Sequence, residues 1–397
     1  MTLNLLLDLD DTLLGNKIDT FVPVYSRKLG EHFAPFADPD KVVKMLLYAT
    51  GEMVKNQRPD QTLEESFDKV FYPALGLERA KVQGAIDTFY KQIFPTFKEL
   101  TQPIEGAIDL VKTSFERGYR VAIATNPLFP RTAILQRLAW ARLNPDEYPF
   151  ALIPSFESFH FAKPNPALYA ELLAQMGWPD GPVVMVGDDL DLDISGARRL
   201  GMSAFWIAQT GKQPPTDERA PTATGSQGEV LPWIDSLPEG KLLLEFSTPG
   251  AMLAILRATP AALDTLIRQK PYEKIQQRPQ AGEWSAGEII CHLRDVEIEV
   301  YLPRVRKVIS EINPFLPGVD TDPWATERNY VSQDPKDALH SFINARLELI
   351  TMLKTLDPAG WDRQARHAIL GPTILRELVN ILLSHDRLHI QQIHQTV

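Results

Sequence analysis

Apolar positions recur along this 397-residue chain in two rhythms, one of strands alternating with helices and one of helices alone. Leu5-Leu6-Leu7 is an apolar run of strand length that ends in Asp8-Leu9-Asp10-Asp11-Thr12, and a buried strand does not end that way by default. Between about 15 and 100 the spacing turns helical: Val42, Val43, Met45 and Leu46 recur at helix intervals, as do Phe67, Val70 and Phe71, then Ile86, Phe89, Tyr90 and Ile93. This stretch reads as a helical insertion. Ile104, Ile108, Leu110 and Val111 predict a further helix, which Gly118 ends before a short strand over 121–124. That strand runs into Thr125-Asn126-Pro127. A helix over about 129–142 and a strand near 151–153 follow, and then Lys163-Pro164-Asn165-Pro166, where Asn165 reads as an N-cap with proline at the first helical position. Residues 183–186 form a buried strand that delivers Gly187-Asp188-Asp189-Leu190-Asp191-Leu192-Asp193; a helix starts near Asp193, and 204–207 gives one more strand. Such alternation implies an α/β domain with a doubly wound parallel sheet and an active site at the strands' carboxyl ends.

Residues 210–226 turn to Gly, Pro, Thr and Ser, the composition of a linker, and 230–237 predicts a last helix. The domain boundary is expected near 238–240, giving domains 1–240 and 241–397. Beyond it the strand signal vanishes. Helical patterns run over about 249–270, 285–310, 335–356 and 373–395, which predicts an all-α four-helix bundle with one long crossover at about 313–333. Ser285-Ala286-Gly287-Glu288 is a capping box, Asp334-Pro335 marks another start, and Pro303 is expected to kink the second helix.

Composition narrows the function classes. Hydrophobic residues make up 44% and charged residues 23%, as in ordinary globular chains. A formal charge of -10 argues against nucleic acid bound through a general basic footprint, so small-molecule partners fit better. The single cysteine, Cys291, permits no intrachain disulfide and points to a reducing, cytoplasmic setting. No basic segment precedes the N-terminal apolar run and no run approaches the ~18 apolar residues of a spanning helix, so no membrane partner is expected.

The polar clusters at the strand ends suit phosphoryl transfer. A carboxylate such as Asp8 can attack phosphorus and split one displacement into two. A second, Asp10, can protonate the leaving alcohol and then deprotonate water. An anionic site acting on an anionic substrate also needs Mg²⁺, a lysine and hydroxyl donors, which Asp188, Lys163 and Thr125 can provide. Asp8-x-Asp10-x-Thr12, then Thr125-Asn126, then Lys163-Pro164, then Gly187-Asp188 with Asp193 five residues on, resembles the four motifs of the haloacid dehalogenase-like hydrolases, over about 1–237. The resemblance implies Asp8 as nucleophile and metal ligand and Asp10 as acid/base and metal ligand through its carbonyl. It further implies Thr125, Asn126 and Lys163 on the phosphate, Asp188 on Mg²⁺ and Asp193 in support. It also implies a core at 1–14 and 101–240 with a helical cap at about 15–100. Asp10 argues against dehalogenation, and Leu9 stands where the family's transport ATPases carry lysine. The expected activity is a phosphatase of small phosphorylated metabolites, with a phosphomutase as the alternative.

In the bundle, His385 and His389 are four residues apart on a face shared with Ile374, Leu378, Ile381 and Leu382, and His292 holds an equivalent position between Ile289 and Val296. Three inward imidazoles from two helices can form a divalent-metal site with open positions. His394, nine residues after His385, falls about half a turn away at ~100° per residue. Trp284-Ser285 leading to His292-Leu293, with His385-x-x-x-His389-x-x-Gln392-Ile393, resembles the DinB-like bundles over about 245–397. That resemblance implies metal (Zn, Ni or Fe) on His292, His385 and His389, and admits thiol-dependent transfer, a non-catalytic metal module or a homodimerisation module.

Overall fold

The structure is a computed structural model that describes residues 2–208, 212–217, 219–238 and 240–396. Residues 209–211 and 218, within the predicted linker, and 239, at the predicted boundary, lie outside these. The described chain falls into two compact units, residues 1–57, 61–172 and 180–245 in the first and 58–60, 173–179 and 246–397 in the second.

The first unit is built on β1 (Asn4–Leu7), whose four residues are all buried. A two-residue ribbon pairs β2 (Leu14–Gly15) with β3 (Gln102–Pro103), and between them lie α1 (Ile18–Phe33), α2 (Pro39–Lys55), α3 (Leu63–Leu75) and α4 (Arg79–Thr88). This is the predicted helical insertion. Thr62 and Glu65 form a capping box that fixes the start of α3. After α5 (Glu105–Glu116), β4 (Arg120–Ile123), α6 (Arg131–Trp140) and α7 (Pro166–Gln175) come β5 (Val183–Gly187), α8 (Ser195–Leu200), β6 (Ser203–Ile207), β7 (Ala223–Gly225) and α9 (Gln227–Asp235). The five longer strands form a parallel sheet in the order β4-β1-β5-β6-β7. Leu5, Leu7, Val121, Ile123, Val184 and Val186 are buried in its core, as near-continuous apolar runs buried on both faces should be.

Two local expectations differ. The segment near 151–153 is not a strand: it runs beside β4 with two backbone hydrogen bonds, Ala151 N to Val121 O at 2.8 Å and Ile123 N to Leu152 O at 2.9 Å, and builds no ladder. Conversely β7, only three residues long, sits in the Gly/Thr/Ser stretch read as linker, where short edge strands carry no apolar pattern.

The second unit has four helical rods: α10 (Pro249–Gln269), followed by the short α11 (Tyr272–Gln276); α12 (Ala286–Val296) continued by α13 (Leu302–Ser310); α15 (Pro335–Lys354); and α17 (Leu375–Thr396). A π-helical turn, Glu297–Tyr301, separates α12 from α13 just before Pro303, so the irregularity expected at that proline falls in the preceding turn. The capping box is made, with Glu288 N on Ser285 Oγ at 3.2 Å and Ser285 N on Glu288 Oε2 at 2.9 Å. The strand signal does not vanish here as expected. β8 (Phe315–Leu316), in the crossover that also holds α14 (Trp324–Glu327), pairs with β9 (Gln364–His367), which follows the one-turn α16 (Pro358–Trp361) and pairs with β10 (Gly371–Ile374). These strands are two to four residues long and, unlike β1, none is an apolar run of strand length, so the sequence carries no signal for them. α10 also corrects the membrane reading: it is long and apolar enough to span a bilayer by composition, but 78% of its most apolar window is buried inside the protein, so the bundle's own core explains its composition.

Inside the bundle Arg346, fully buried, binds Glu297 at 2.7 and 3.0 Å and Asp386 at 2.7 and 3.1 Å. Burial pushes the Glu297 carboxyl up despite the guanidinium beside it. Removing one member of such a set strands the others in a low-dielectric interior, which costs about 3–5 kcal/mol. Arg346→Met is therefore expected to lower the unfolding free energy by an amount of that order, read as a fall in the urea midpoint, and adding Glu297→Gln to recover part of it. A midpoint unchanged by Arg346→Met would show that the triad contributes nothing net.

Candidate active site and metal centres

Parallel pairing brings the first site together. Leu7 is in register with Ile123 on one side and Val186 on the other, so Asp8, Thr125 and Asp188 emerge at the same end of the sheet. Asp8 N donates to Val186 O at 3.0 Å, extending the ladder to the carboxylate itself. Lys163 Nζ reaches Asp8 Oδ1 at 2.6 Å and Asp193 Oδ1 at 2.5 Å, and all three side chains are buried. Asp8 Oδ2 has no partner among the described residues. Asp193 Oδ2 accepts from Asp189 N at 3.0 Å, so both its oxygens are used in holding the lysine and the turn. At Gly187 a Cβ would collide with the Asp193 carboxylate, so only glycine lets the β5 backbone pass that close.

Asp10 lies on a tight turn closed by Leu13 N and Leu14 N on Leu9 O, with Asp11 at φ +51°, a conformation aspartate tolerates better than most residues. Its Oδ1 accepts from Asn16 Nδ2 at 2.7 Å and pairs with Arg137. Arg137 is buried on α6, its guanidinium 5.4 Å from the Phe129 ring centre. Sequence reasoning missed Arg137. Its signal is a charge on an apolar stripe, since Ala133, Ile134, Arg137 and Leu138 share one helix face. Asn126, expected on the phosphate, accepts the Lys163 backbone N–H through Oδ1 at 3.1 Å, and so places the lysine. Thr125 is buried just past β4.

The electrostatics favour a cation. Asp8, Asp188 and Asp193 each offer an oxygen within 4.8 Å of the others. Burial first, then the Asp193 charge, holds the Asp8 carboxyl well above its usual range, with Lys163 opposing. Burial and the neighbouring carboxylates of Asp193, Asp11 and Asp189 push Asp188 up to about 7. Burial raises Asp193 as well, against the pull of Lys163. Lys163 itself is raised, because the two carboxylates outweigh its burial. One ammonium among this many carboxylates leaves negative charge uncompensated, which a Mg²⁺ ion would relieve.

A cavity of about 550 Å³ lies among α1–α4 and the segment after Asn126, lined by Tyr25, Phe67, Tyr90 and Phe129 among others. Phe129 joins it to the carboxylates, since the same ring packs against the guanidinium that holds Asp10.

The second site is the predicted trio. His385 Nε2 lies 3.1 Å from both His292 Nε2 and His389 Nε2. His389 Nδ1 sits 3.0 Å from Gln392 Oε1, an acceptor, so its hydrogen is on Nδ1 and its Nε2 lone pair faces the other two rings. Nδ1 of His292 and of His385 is buried without a partner. Trp284 packs on His292 with ring centres 5.0 Å apart. Burial, then the neighbouring imidazoles, lowers His292 to about 4 and His385 to about 2; burial lowers His389 too. Three neutral imidazoles with Nε2 atoms converging on one point suit a divalent metal. His394 is not in the cluster. Burial pushes the Cys291 thiol up to about 11, as for a small core residue.

Residues 4–201 match the family model for haloacid dehalogenase-like hydrolase and residues 255–393 that for the DinB superfamily. The chain joins a haloacid dehalogenase-like hydrolase to a DinB-superfamily domain. Among curated proteins it is similar to pyrophosphatase PpaX of Halalkalibacterium halodurans, 29% identical over 32% of this chain and 56% of that protein. It is also similar to the phospholysine phosphohistidine inorganic pyrophosphate phosphatase of Bos taurus, 35% identical over 21% of this chain and 28% of that one. The chain thus spans about half or less of the length of these two relatives. A solved phosphatase from Thermococcus onnurineus aligns with 59% of this chain and 98% of its own at 20% identity, with a TM-score of 0.41.

The raised Asp188 fixes a sign. A carboxyl whose folded pKa lies above its unfolded value adds stability at low pH, and that stability is lost as pH rises through about 7. In EDTA the first unit should therefore melt at a lower temperature at pH 8 than at pH 5.5, and Mg²⁺ should raise the melting temperature more at pH 8. An equal Mg²⁺ effect at both pH values would refute the charge-relief account.

Proposed function

We propose that the first unit, core 1–14 and 101–240 with its cap at about 15–100, is a Mg²⁺-dependent phosphatase of small phosphorylated metabolites working through an aspartyl-phosphate. The observation that carries this is Asp8, with one oxygen fixed on Lys163 and the other open, at the end of a buried parallel strand. Asp8 Oδ2 attacks phosphorus and forms an O–P bond as the bond to the leaving oxygen breaks. Asp10 gives that oxygen its proton. Asp10 then takes a proton from water, whose oxygen bonds to phosphorus as the Asp8–phosphorus bond breaks, and inorganic phosphate leaves. Lys163 and Thr125 hold the phosphoryl oxygens, while Asn126 and Asp193 position Lys163. Asp8, the Asp10 carbonyl and Asp188 would hold Mg²⁺, which would supply charge neutralisation to the phosphoryl group. Aspartyl-phosphate that water can reach is hydrolysed, which favours phosphatase over mutase. The aromatic lining of the cap cavity favours monoesters with an apolar leaving group.

For the second unit we infer a divalent metal, Zn, Ni or Fe, held by His292, His385 and His389, with positions left open for a substrate or water. Binding without catalysis is the second reading, supported by the neutral, preorganised imidazoles alone.

Phosphate release from a panel containing aryl, alkyl and sugar phosphates should be abolished by Asp8→Asn and lowered by about 10²–10⁴-fold by Asp10→Asn. Aryl esters should give the highest kcat/KM. Wild-type rates in Asp8→Asn would sink the assignment. Elemental analysis of the purified full chain should find about one transition metal per chain that is lost in His385→Ala; a variant that retains it would exclude the histidine site.

A further inference from the structure

A second cavity, of about 250 Å³, lies in the bundle beside the histidines. Its apolar wall comes from α17 and α13, with Leu378, Val379, Leu382 and Val305. Its polar groups are Tyr301, Arg304 and His367. Arg304 is half-buried; its guanidinium donates Nη2 to Pro317 O at 2.8 Å and pairs with no carboxylate among the described residues. Arg346 carries two carboxylates and Arg137 carries Asp10. Arg257 is also buried with a guanidinium nitrogen left unpartnered, but it lines neither the cap cavity nor this one, whereas Arg304 lines this one. Burial without a compensating anion lowers the Arg304 pKa, and burial together with the Arg304 charge lowers His367. His367 Nδ1 accepts backbone N–H groups from Ile369 and Leu370 at 3.3 and 3.4 Å, so the neutral ring carries its hydrogen on Nε2. At the β9–β10 turn the Ile369 and Leu370 side chains also line the cavity, yet remain 79% and 49% exposed.

We propose that this cavity binds an apolar monocarboxylate, its head on the Arg304 guanidinium and His367, its hydrocarbon part among Leu378, Val379 and Leu382. An uncompensated guanidinium in a partly desolvated wall calls for an anion, and its planar fork matches a carboxylate. One cation beside a neutral imidazole balances one negative charge; a phosphate dianion would be left half neutralised. The remaining wall is hydrocarbon, which sets the nature of the tail. Tyr301 lines the cavity and also packs against His385, with ring centres 5.7 Å apart, so the bound acid lies next to the histidine site. Calling the acid a substrate of that site rests on the metal reading above; its binding does not.

Calorimetry on the full chain, with octanoate and octanol as probes in EDTA-treated and metal-loaded protein, tests this. Octanoate is expected to bind both forms, and octanol about tenfold more weakly or worse, the size of one charge-assisted hydrogen bond. Arg304→Gln should bring the two probes to similar affinity. Ile369→Asp, on a side chain that folding leaves mostly in water, should weaken octanoate more than octanol through like charge. Equal wild-type affinities, or octanoate binding unchanged in both variants, would overturn the proposal. Octanoate binding by a chain that retains no metal supports the cavity and removes the metal reading. Retained metal with no octanoate binding does the reverse.

Discussion

One buried ammonium shared by two carboxylates, with a third beside them, sets the conditions for the first unit. Lys163 holds Asp8 and Asp193 at 2.6 and 2.5 Å where the parallel strands end. Desolvated carboxylates repel one another strongly, and a single lysine cannot offset them. Much of the surrounding structure serves to keep them there. The β1 ladder runs into Asp8, glycine at 187 makes room for Asp193, and Asn126 fixes the lysine backbone. Arg137 pairs with Asp10, the fourth carboxylate, and offsets its charge. Stability is thereby given up at the place where a phosphoryl group and a cation would bind.

This arrangement also links cap to chemistry. Phe129 belongs to the loop after the second motif, lines the aromatic cavity, and packs on the guanidinium that holds Asp10. A leaving group in that cavity would touch the same ring that supports the proposed acid. Selection of the leaving group and placement of the proton would then depend on one side chain. The polar part of the cavity is less open to substrate: Arg79 is already paired with Glu64 and Asp68. Its apolar wall is left to discriminate.

The helical insertion and the four rods were legible because each is long enough for a period to register, with chemical punctuation at Ser285 with Glu288 and Asp334 before Pro335, and the parallel sheet because its central strands are apolar runs buried on both faces. Asp8 and Asp188 could be singled out because charge at the end of a buried strand needs an explanation, and Lys163 and Asp193 through their place in the motif order. The rest was hidden for physical reasons. β7, β8, β9 and β10 are two to four residues long and exist through pairing with distant neighbours, which no local window records. Arg137 and Arg346 sit on apolar stripes and could have been flagged, yet their partners, Asp10, Glu297 and Asp386, lie 127, 49 and 40 residues away. Asn126 shows a subtler limit. Its motif named it for the phosphate, but that its amide oxygen also takes the Lys163 backbone N–H, 37 residues on, depends on a backbone path no local window records.

The two clusters, finally, differ in the kind of charge they leave for a cation, and that difference separates their proposed metals. Asp8, Asp188 and Asp193 offer hard oxygens bearing excess negative charge, which suits a strongly hydrated ion such as Mg²⁺. His292, His385 and His389 offer three neutral nitrogens whose burial disfavours protonation, so the lone pairs stay available at neutral pH and below. Mg²⁺ gains little from uncharged imidazoles, whereas a borderline transition metal gains most from them. A neutral three-nitrogen set also leaves a divalent ion with its full charge, so an anionic ligand entering an open position would be drawn to it. Arg304 lines the cavity that Tyr301 shares with His385, and its charge would act on an anion there with the same sign.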